Sequence, residues 1–252
     1  VVPGHDHELT LFANNLEEFK IKNIKVLVSE PTVTEISRDK QEWYNYFSPK
    51  GCKIVPTLSV KEFNMNIDTS IFPAIVKPSG GSASQGISII NSISDLKGLK
   101  EEDIIQPYLF PEKEDPNYNA IIKAVNKGAF IQKSEISIQL LLNNNSKHVG
   151  TFISKNTLKN GVPIFVDPIN PTTFKYLDEI LKFIPILEAK KVKGPVNIQG
   201  RVTPDGLWFF EMNMRFTGIT GNRALLGFNE VDYLIRDFLG KSVSINDYAY
   251  NK

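Results

Sequence analysis

The 252-residue sequence has a single cysteine, Cys52, and three histidines. One thiol excludes a disulfide framework, and the histidines and cysteine together are too few for a typical zinc site. A reducing, cytoplasmic setting fits that usage. Charge of one sign is equally scarce, since 29 Lys plus Arg stand against 28 Asp plus Glu, a formal net charge of +1. No overall field recruits nucleic acid or an acidic membrane surface. No apolar run approaches the roughly 20 residues of a membrane span, and the N-terminus has no basic region followed by an apolar one. Internal repeats and low-complexity stretches are missing too. What remains is globular material, long enough to bury a substantial core in one large domain or two.

Along the chain the pattern opens as α/β. "VVPGHDHELTLF" reads as the end of a strand and a helix capped by Asp6, with Leu9, Phe12, Leu16 and Phe19 on one face. The run His5-Asp6-His7-Glu8 has metal-ligating types, but neighbours at a helix start point in different directions. A short strand, "KVLVS" (25–29), and a helix in "EISRDKQEWYNYF" follow. Strands at 73–79, 86–92 and 103–109, with a helix around 94–99, make a compact layer. From 135 onward two strands, an amphipathic helix near 172–190, a hairpin and a last helix near 222–239 read as an antiparallel sheet with helices on it. Residues 111–134 form an excursion between two strands.

The hairpin is "GPVNIQGRVTPDGLWFFEMNMRFTG", residues 194–218. Alternation puts Asn197, Gln199 and Arg201 on one face of its first strand. On the second strand Leu207, Phe209, Glu211, Asn213 and Arg215 share a side, opposed by Trp208, Phe210, Met212 and Met214. Pro204-Asp205-Gly206 suits a three-residue loop whose Gly forms a bulge. Counting back from that turn sets Arg201 opposite Phe209, Gln199 opposite Glu211, and Asn197 opposite Asn213. The oxygen-bearing trio Gln199, Glu211 and Asn213, with Arg215 two positions on, offers what a magnesium ion and its attached phosphate need. A solvated sheet face with an Arg–Glu ion pair has the same alternation.

"IVKPSGGSASQGISII" puts Lys77 at a strand end and Ser79, Gly80, Gly81, Ser82 and Gly86 in the turn that follows. Small residues leave backbone N–H groups bare for phosphate oxygens, and Lys77 supplies positive charge. It is not a Walker loop, because Gly86 is followed by Ile-Ser-Ile, nor a dinucleotide fingerprint, because no G-x-G-x-x-G occurs. A flexible hairpin loop has the same composition.

Together these stretches, in this order, resemble the ATP-grasp superfamily, in particular ligases similar to the carbamoyl-phosphate synthase large chain. The likeness runs over nearly the whole chain: "VVPGHDHEL" through "RDKQEW", "PAIVKPSGGSASQG", "IIQPYL", "SEISIQLLLNNNSKHVG" and the hairpin. It implies an α+β fold with an α/β remnant at the N-terminus, two α+β subdomains gripping ATP between them. Residues 1–30 correspond to the end of a preceding α/β domain and 31–252 to the ATP-grasp domain. Within it, about 66–108 is a glycine-loop lid and about 109–252 the metal-binding antiparallel sheet.

By the same resemblance Lys40 and Lys77 contact phosphates, with Ser79, Gly80, Gly81, Ser82 and Gly86 covering them. Gln106 lies beside the adenine amino group, and backbone groups of Pro107, Tyr108 and Leu109 make the selective hydrogen bonds. Glu135 holds the ribose, with Glu114 as its competitor. Gln199, Glu211 and Asn213 hold magnesium, or manganese in its place, and Arg215 faces the transferred phosphoryl group, with Lys77 as the other catalytic cation. Two departures stand out. Gln106 occupies a position where an acid is common, which implies weaker purine selection, and neutral Gln199 leaves Glu211 as the single anion of the trio. The implied reaction joins a small carboxylate to an amine, or a thiol, through an acyl phosphate. A kinase on the same scaffold and an idle nucleotide-binding module are the alternatives, and self-association is left open.

Overall fold

The computed structural model describes residues 1–80, 86–159 and 162–241. Two antiparallel sheets organise them. The smaller contains β1 (Leu58–Ser59), β2 (Ala74–Lys77), β3 (Ser88–Ile90) and β4 (Ile104–Pro107) in the order β1-β4-β2-β3. The larger contains β5 (Glu135–Leu142), β6 (His148–Lys159), β7 (Val162–Ile169), β8 (Gly194–Thr203) and β9 (Gly206–Asn213) in the order β7-β6-β5-β8-β9. Both sheets carry helices, as the α+β reading requires.

β5 is central, and all eight of its residues are buried. Its pleat sends Ile136, Ile138, Leu140 and Leu142 into the main core, where they meet Trp43, Phe47, Phe183, Val196, Ile198 and Phe209. The opposite pleat is left for the polar Glu135, Ser137 and Gln139. A separate core of Val60, Phe63, Ala74, Val76, Ile90 and Ile105 lies against the smaller sheet. The segment entering that sheet is tied to the larger one, since the Val55 N–H donates to the Phe209 carbonyl and the Phe209 N–H to the Lys53 carbonyl.

Several sequence expectations change in detail. His5, not Asp6, caps the first helix (Asp6–Asn14) in a reciprocal box with Glu8. Asp6 sits one residue inside the helix and is buried, which frees its carboxylate for other partners. That helix ends at Asn14, and Leu16–Ile21 forms a second one. The 25–29 stretch is buried at Val26, Leu27 and Val28 but is no strand; among the described residues its backbone-to-backbone hydrogen bonds are to Val1. The helix expected across 35–47 is two, Pro31–Arg38 and Lys40–Phe47. Asp39 breaks it by taking an extended conformation, from which its carboxylate caps the N–H groups of Gln41 and Glu42. Gly227, at φ 94°, likewise separates Thr220–Leu225 from Glu230–Phe238. The 111–134 excursion holds one helix, Tyr118–Val125.

The hairpin reaches two of the expected pairings by another route, while Arg201 faces Trp208 and not Phe209. Gln199 faces Glu211 and Asn197 faces Asn213, but Thr203 pairs with Gly206, so the turn holds only Pro204 and Asp205. The extra residue lies inside the ladder instead, where Gly200 pairs with Phe209 and Gln199 with Glu211, leaving Phe210 as the bulge. A bulge switches faces. Leu207 and Phe209 therefore point into the core together with Met212 and Met214, not with Glu211 as strict alternation requires, while Phe210 turns toward the polar side. Gly200 permits this, because a Cβ there would lie 2.5 Å from the Trp208 carbonyl oxygen.

Candidate active site

A cavity lies between the two sheets. The smaller sheet lines it with Ile75, Lys77, Gln106 and Pro107, continued by Tyr108 and Leu109. The larger sheet contributes Glu135, Ser137, Asn156, Leu158, Asn197, Gln199, Arg201, Phe210, Glu211 and Asn213. Lys40 enters from its helix, Phe130 and Gln132 from the excursion, and Arg215, Thr217, Gly218 and Ile219 from the loop after β9.

The bulge shapes the cationic end. Phe210, out of the ladder, offers its carbonyl to Lys77 Nζ at 3.4 Å and its ring at 5.2 Å from the same ammonium. Lys40 Nζ is 3.9 Å from Glu211 Oε1 and donates to the Ser79 carbonyl at 3.2 Å. Burial pushes the Lys77 ammonium down to about 8, against the opposing pull of Glu211 and with the Lys40 charge adding to the fall. Ser79 Oγ is buried with no partner among the described residues. Gly80 is exposed beside the Arg38 carbonyl, and Gly86 takes φ 71°, where an L side chain is strained. Gly81 and Ser82 lie outside the described residues.

Gln199, Glu211 and Asn213 do converge. Asn213 Nδ2 donates to Glu211 Oε1 at 3.4 Å, and Gln199 Nε2 to Asn197 Oδ1 at 3.3 Å. Asn197 is held in turn, donating to Ser137 Oγ at 2.9 Å and Gln139 Oε1 at 3.1 Å. With their amide nitrogens so engaged, Gln199 and Asn213 keep carbonyl oxygens for a ligand. One carboxylate and two amide oxygens are hard donors that suit a magnesium ion which shares its shell with phosphate and water. Among the described residues no three His, Cys, Asp or Glu side chains gather into a stronger cage.

At the other end, Glu135 is buried on the wall and Glu114 is exposed and off it. Burial pushes the Glu135 carboxyl up to about 7, partly offset by the Arg201 charge. Arg201 joins two segments by donating to the Leu109 carbonyl at 2.7 Å and the Lys133 carbonyl at 3.0 Å. The hinge backbone is therefore partly committed: the Tyr108 N–H also donates to the Pro73 carbonyl, at 2.9 Å. Tyr108 supplies no free N–H to an adenine, and Leu109 no free carbonyl lone pair on the side Arg201 holds.

Arg215 lines the cavity, but its guanidinium is clamped by Asp6, which also pairs with Arg38 at 3.0 Å. Behind the same loop, a fully buried Arg223–Glu230 pair holds Thr217 and Thr220. Asp6, Thr57, Asn156, Asn197 and Arg201 escaped the sequence reading as site residues. For Asn156 the signal is its register opposite Glu135.

Solved structures share this architecture. The N5-carboxyaminoimidazole synthetase of Staphylococcus aureus complexed with ADP matches 95% of this chain and 59% of its own, at TM-score 0.65 and 19% identity. The chain has the ATP-grasp fold. A biotin carboxylase–ATP complex from Campylobacter jejuni matches 93% of this chain and 53% of its own, at TM-score 0.63 and 17% identity. The ATP complex of a carboxyaminoimidazole ribonucleotide synthase from Aspergillus clavatus matches 92% and 59%, at TM-score 0.65 and 10% identity. The chain thus spans less than two thirds of their length. No protein-family model and no curated protein matches it in sequence.

Proposed function

We propose that the cavity binds ATP with a divalent cation, and that the chain is the ATP-binding part of a ligase joining a carboxylate to an amine, or to a thiol, through an acyl phosphate. The observation that supports this best is that Gln199, Glu211 and Asn213 line one cavity with Lys40, Lys77 and Arg215. Among the described residues four cations line the cavity, Lys40, Lys77, Arg201 and Arg215, against two carboxylates, Glu135 and Glu211, an excess suited to a polyanion. The fold neighbours named above include complexes with ADP and ATP, which favours the same ligand.

In this reading Glu135 holds the ribose, and Lys40 and Lys77 offset phosphate charge. Glu211, Asn213 and Gln199 would hold magnesium or manganese, which when bound neutralises charge on the terminal phosphates. A carboxylate oxygen attacks the γ-phosphorus, the bond to the β–γ bridging oxygen breaks, and ADP leaves. The amine then attacks the acyl carbon and loses a proton as phosphate departs. Arg215 presents N–H groups toward the transferred phosphoryl group. No protein nucleophile is required: Cys52 is buried, and burial pushes its thiol up to about 12. Such small-molecule chemistry fits a cytoplasmic setting. Among the described residues no helix is long and apolar enough to cross a membrane.

The test is ADP release across a panel of carboxylic acids paired with amines, with hydroxylamine added in parallel. A hydroxamate identifies the acyl phosphate. A stable phosphorylated product with no hydroxamate identifies a kinase instead, and ATP binding with no ADP release under any pair identifies an idle module.

A further inference from the structure

Gln106 closes the base end of the cavity from β4 and is 1% exposed. A side-chain amide is ambivalent toward a ligand, because one end donates and the other accepts. Here the ambiguity is removed from behind. Gln106 Nε2 donates to Thr57 Oγ1 at 2.9 Å, and Thr57 Oγ1 donates to the Val55 carbonyl at 2.9 Å. A hydroxyl has one proton. With it committed to Val55, Thr57 can only accept from the amide. Turning the amide over would draw that proton away and leave the carbonyl of Val55, a residue 0% exposed, without its partner. Gln106 Oε1 is therefore the end left for a ligand.

The adjoining hinge offers the opposite polarity. Pro107 has no N–H and Tyr108's is taken by Pro73, so the Leu109 N–H is the hinge donor left over. An acceptor beside a donor matches the amino group and neighbouring ring nitrogen on one edge of adenine. Hypoxanthine inverts both, with a carbonyl and a ring N–H.

We propose that Thr57 is a specificity-determining residue which locks Gln106 as an acceptor, so that the cavity selects a base bearing an amino donor over one bearing a carbonyl there. The proposal rests on the nucleotide reading above and deepens it. On this proposal a neutral glutamine so fixed keeps purine selection, where the resemblance in sequence implies that it is weaker.

Calorimetric titration of the wild type, Thr57→Ser and Thr57→Val with magnesium ATP and magnesium ITP tests the lock. Mismatched polarity leaves buried groups unpaired, so the wild type should prefer ATP by about tenfold or more. Thr57→Ser keeps the hydroxyl and should keep that ratio. Thr57→Val lets the amide turn over, and the ratio should drop about fivefold or more because ITP binds more tightly than before. Loss of affinity for both nucleotides by one factor would instead mark Thr57 as merely structural. Equal wild-type affinity for ATP and ITP, or an unchanged ratio in Thr57→Val, sinks the lock while leaving the nucleotide reading intact. Failure of the wild type to bind either nucleotide sinks both. Should Thr57→Val not fold, the wild-type ratio and Thr57→Ala decide.

Discussion

Asp6 and Arg215 lie 209 residues apart and meet in a two-point salt bridge, Nε to Oδ1 at 2.6 Å and Nη2 to Oδ2 at 2.8 Å. Arg215 Nη1 also donates to the Phe216 carbonyl, at 3.0 Å. Three of its five N–H groups are thus engaged, and two on the terminal nitrogens remain for a ligand. The carboxylate comes from the first helix, so that helix is part of the wall that holds Arg215 in place.

Replacing Asp6 with Asn should destabilise the protein by about 3 kcal/mol, because it leaves two arginines adjacent without their shared anion. For a chain of this size that lowers the melting temperature by roughly 6 to 12 °C. The pH dependence has a definite sign. Burial alone raises the Asp6 carboxyl, but the hydrogen bonds and charge of Arg215 and the charge of Arg38 outweigh it and hold it below 3.8. A depressed carboxylate contributes stability that is present above the unfolded value and lost as pH falls through the folded one. Urea melts at pH 7 should separate the variant from the wild type, and the gap should narrow as pH falls below about 4.

ATP affinity should pass through a maximum between about pH 7 and about pH 8. In the proposed reading the ionised Glu135 carboxylate accepts from ribose hydroxyls, and burial raises its proton loss to about 7. In the same reading the Lys77 ammonium attracts phosphate, and burial lowers its proton loss to about 8. Above the second value, affinity should fall by up to about tenfold per pH unit. Calorimetric titrations from pH 6 to 9 check this, and a flat profile would mean that neither group meets the nucleotide. Stability should move the other way on the alkaline limb. Between about 8 and the ordinary lysine value of 10.5 the unfolded chain binds a proton at Lys77 that the folded one does not, so stability rises with pH there.

The cluster was legible in sequence because its residue types break a period-2 pattern that burial otherwise fills with apolar side chains. Pairing of Gln199 with Glu211 and Asn197 with Asn213 followed from that pattern and a turn signal. The turn assignment did not survive, since Pro204-Asp205 closes the hairpin and the extra residue sits at Phe210. A glycine inside a strand is itself a bulge signal, and Gly200 carried it. Local reading also misplaced the first cap, because His5 is an unusual cap and Asp6 a common one. The Asp6–Arg215 clamp, the Thr57–Gln106 contact and the double carbonyl grip of Arg201 join segments 49 to 209 residues apart. No local propensity encodes such partners, and only the folded chain brings them together.

Glu211 is the one carboxylate of its trio, so its removal should be decisive for the metal. Glu211→Gln keeps the side chain's size and removes its charge, and the fold should hold because the group lines a cavity and is not packed in the core. Magnesium should no longer improve ATP affinity, and ADP formation should fall by at least about a hundredfold. Titrations with and without magnesium separate the two effects. Near-normal, magnesium-dependent turnover would contradict the metal assignment.

Gly200 should tolerate no side chain, although it lies in mid-strand where alanine is ordinarily harmless. A Cβ at 2.5 Å from the Trp208 carbonyl oxygen and 3.1 Å from the Phe209 ring meets backbone on one side and buried aromatic on the other. Neither yields without parting β8 from β9 at the bulge. The expected cost of Gly200→Ala is about 1 to 3 kcal/mol, typical of overpacking. A second effect separates this site from an ordinary core position. The bulge aims the Phe210 carbonyl at Lys77 and sets Glu211 opposite Gln199, so ATP affinity should fall as well. Gly221→Ala is the control: nothing lies within 4 Å of its Cβ position in the helix Thr220–Leu225, and alanine there should be neutral or stabilise by up to about 1 kcal/mol. Denaturant melts and ATP titrations of both variants decide the matter, and a Gly200→Ala protein with wild-type stability and affinity would mean that the bulge does not hold the site.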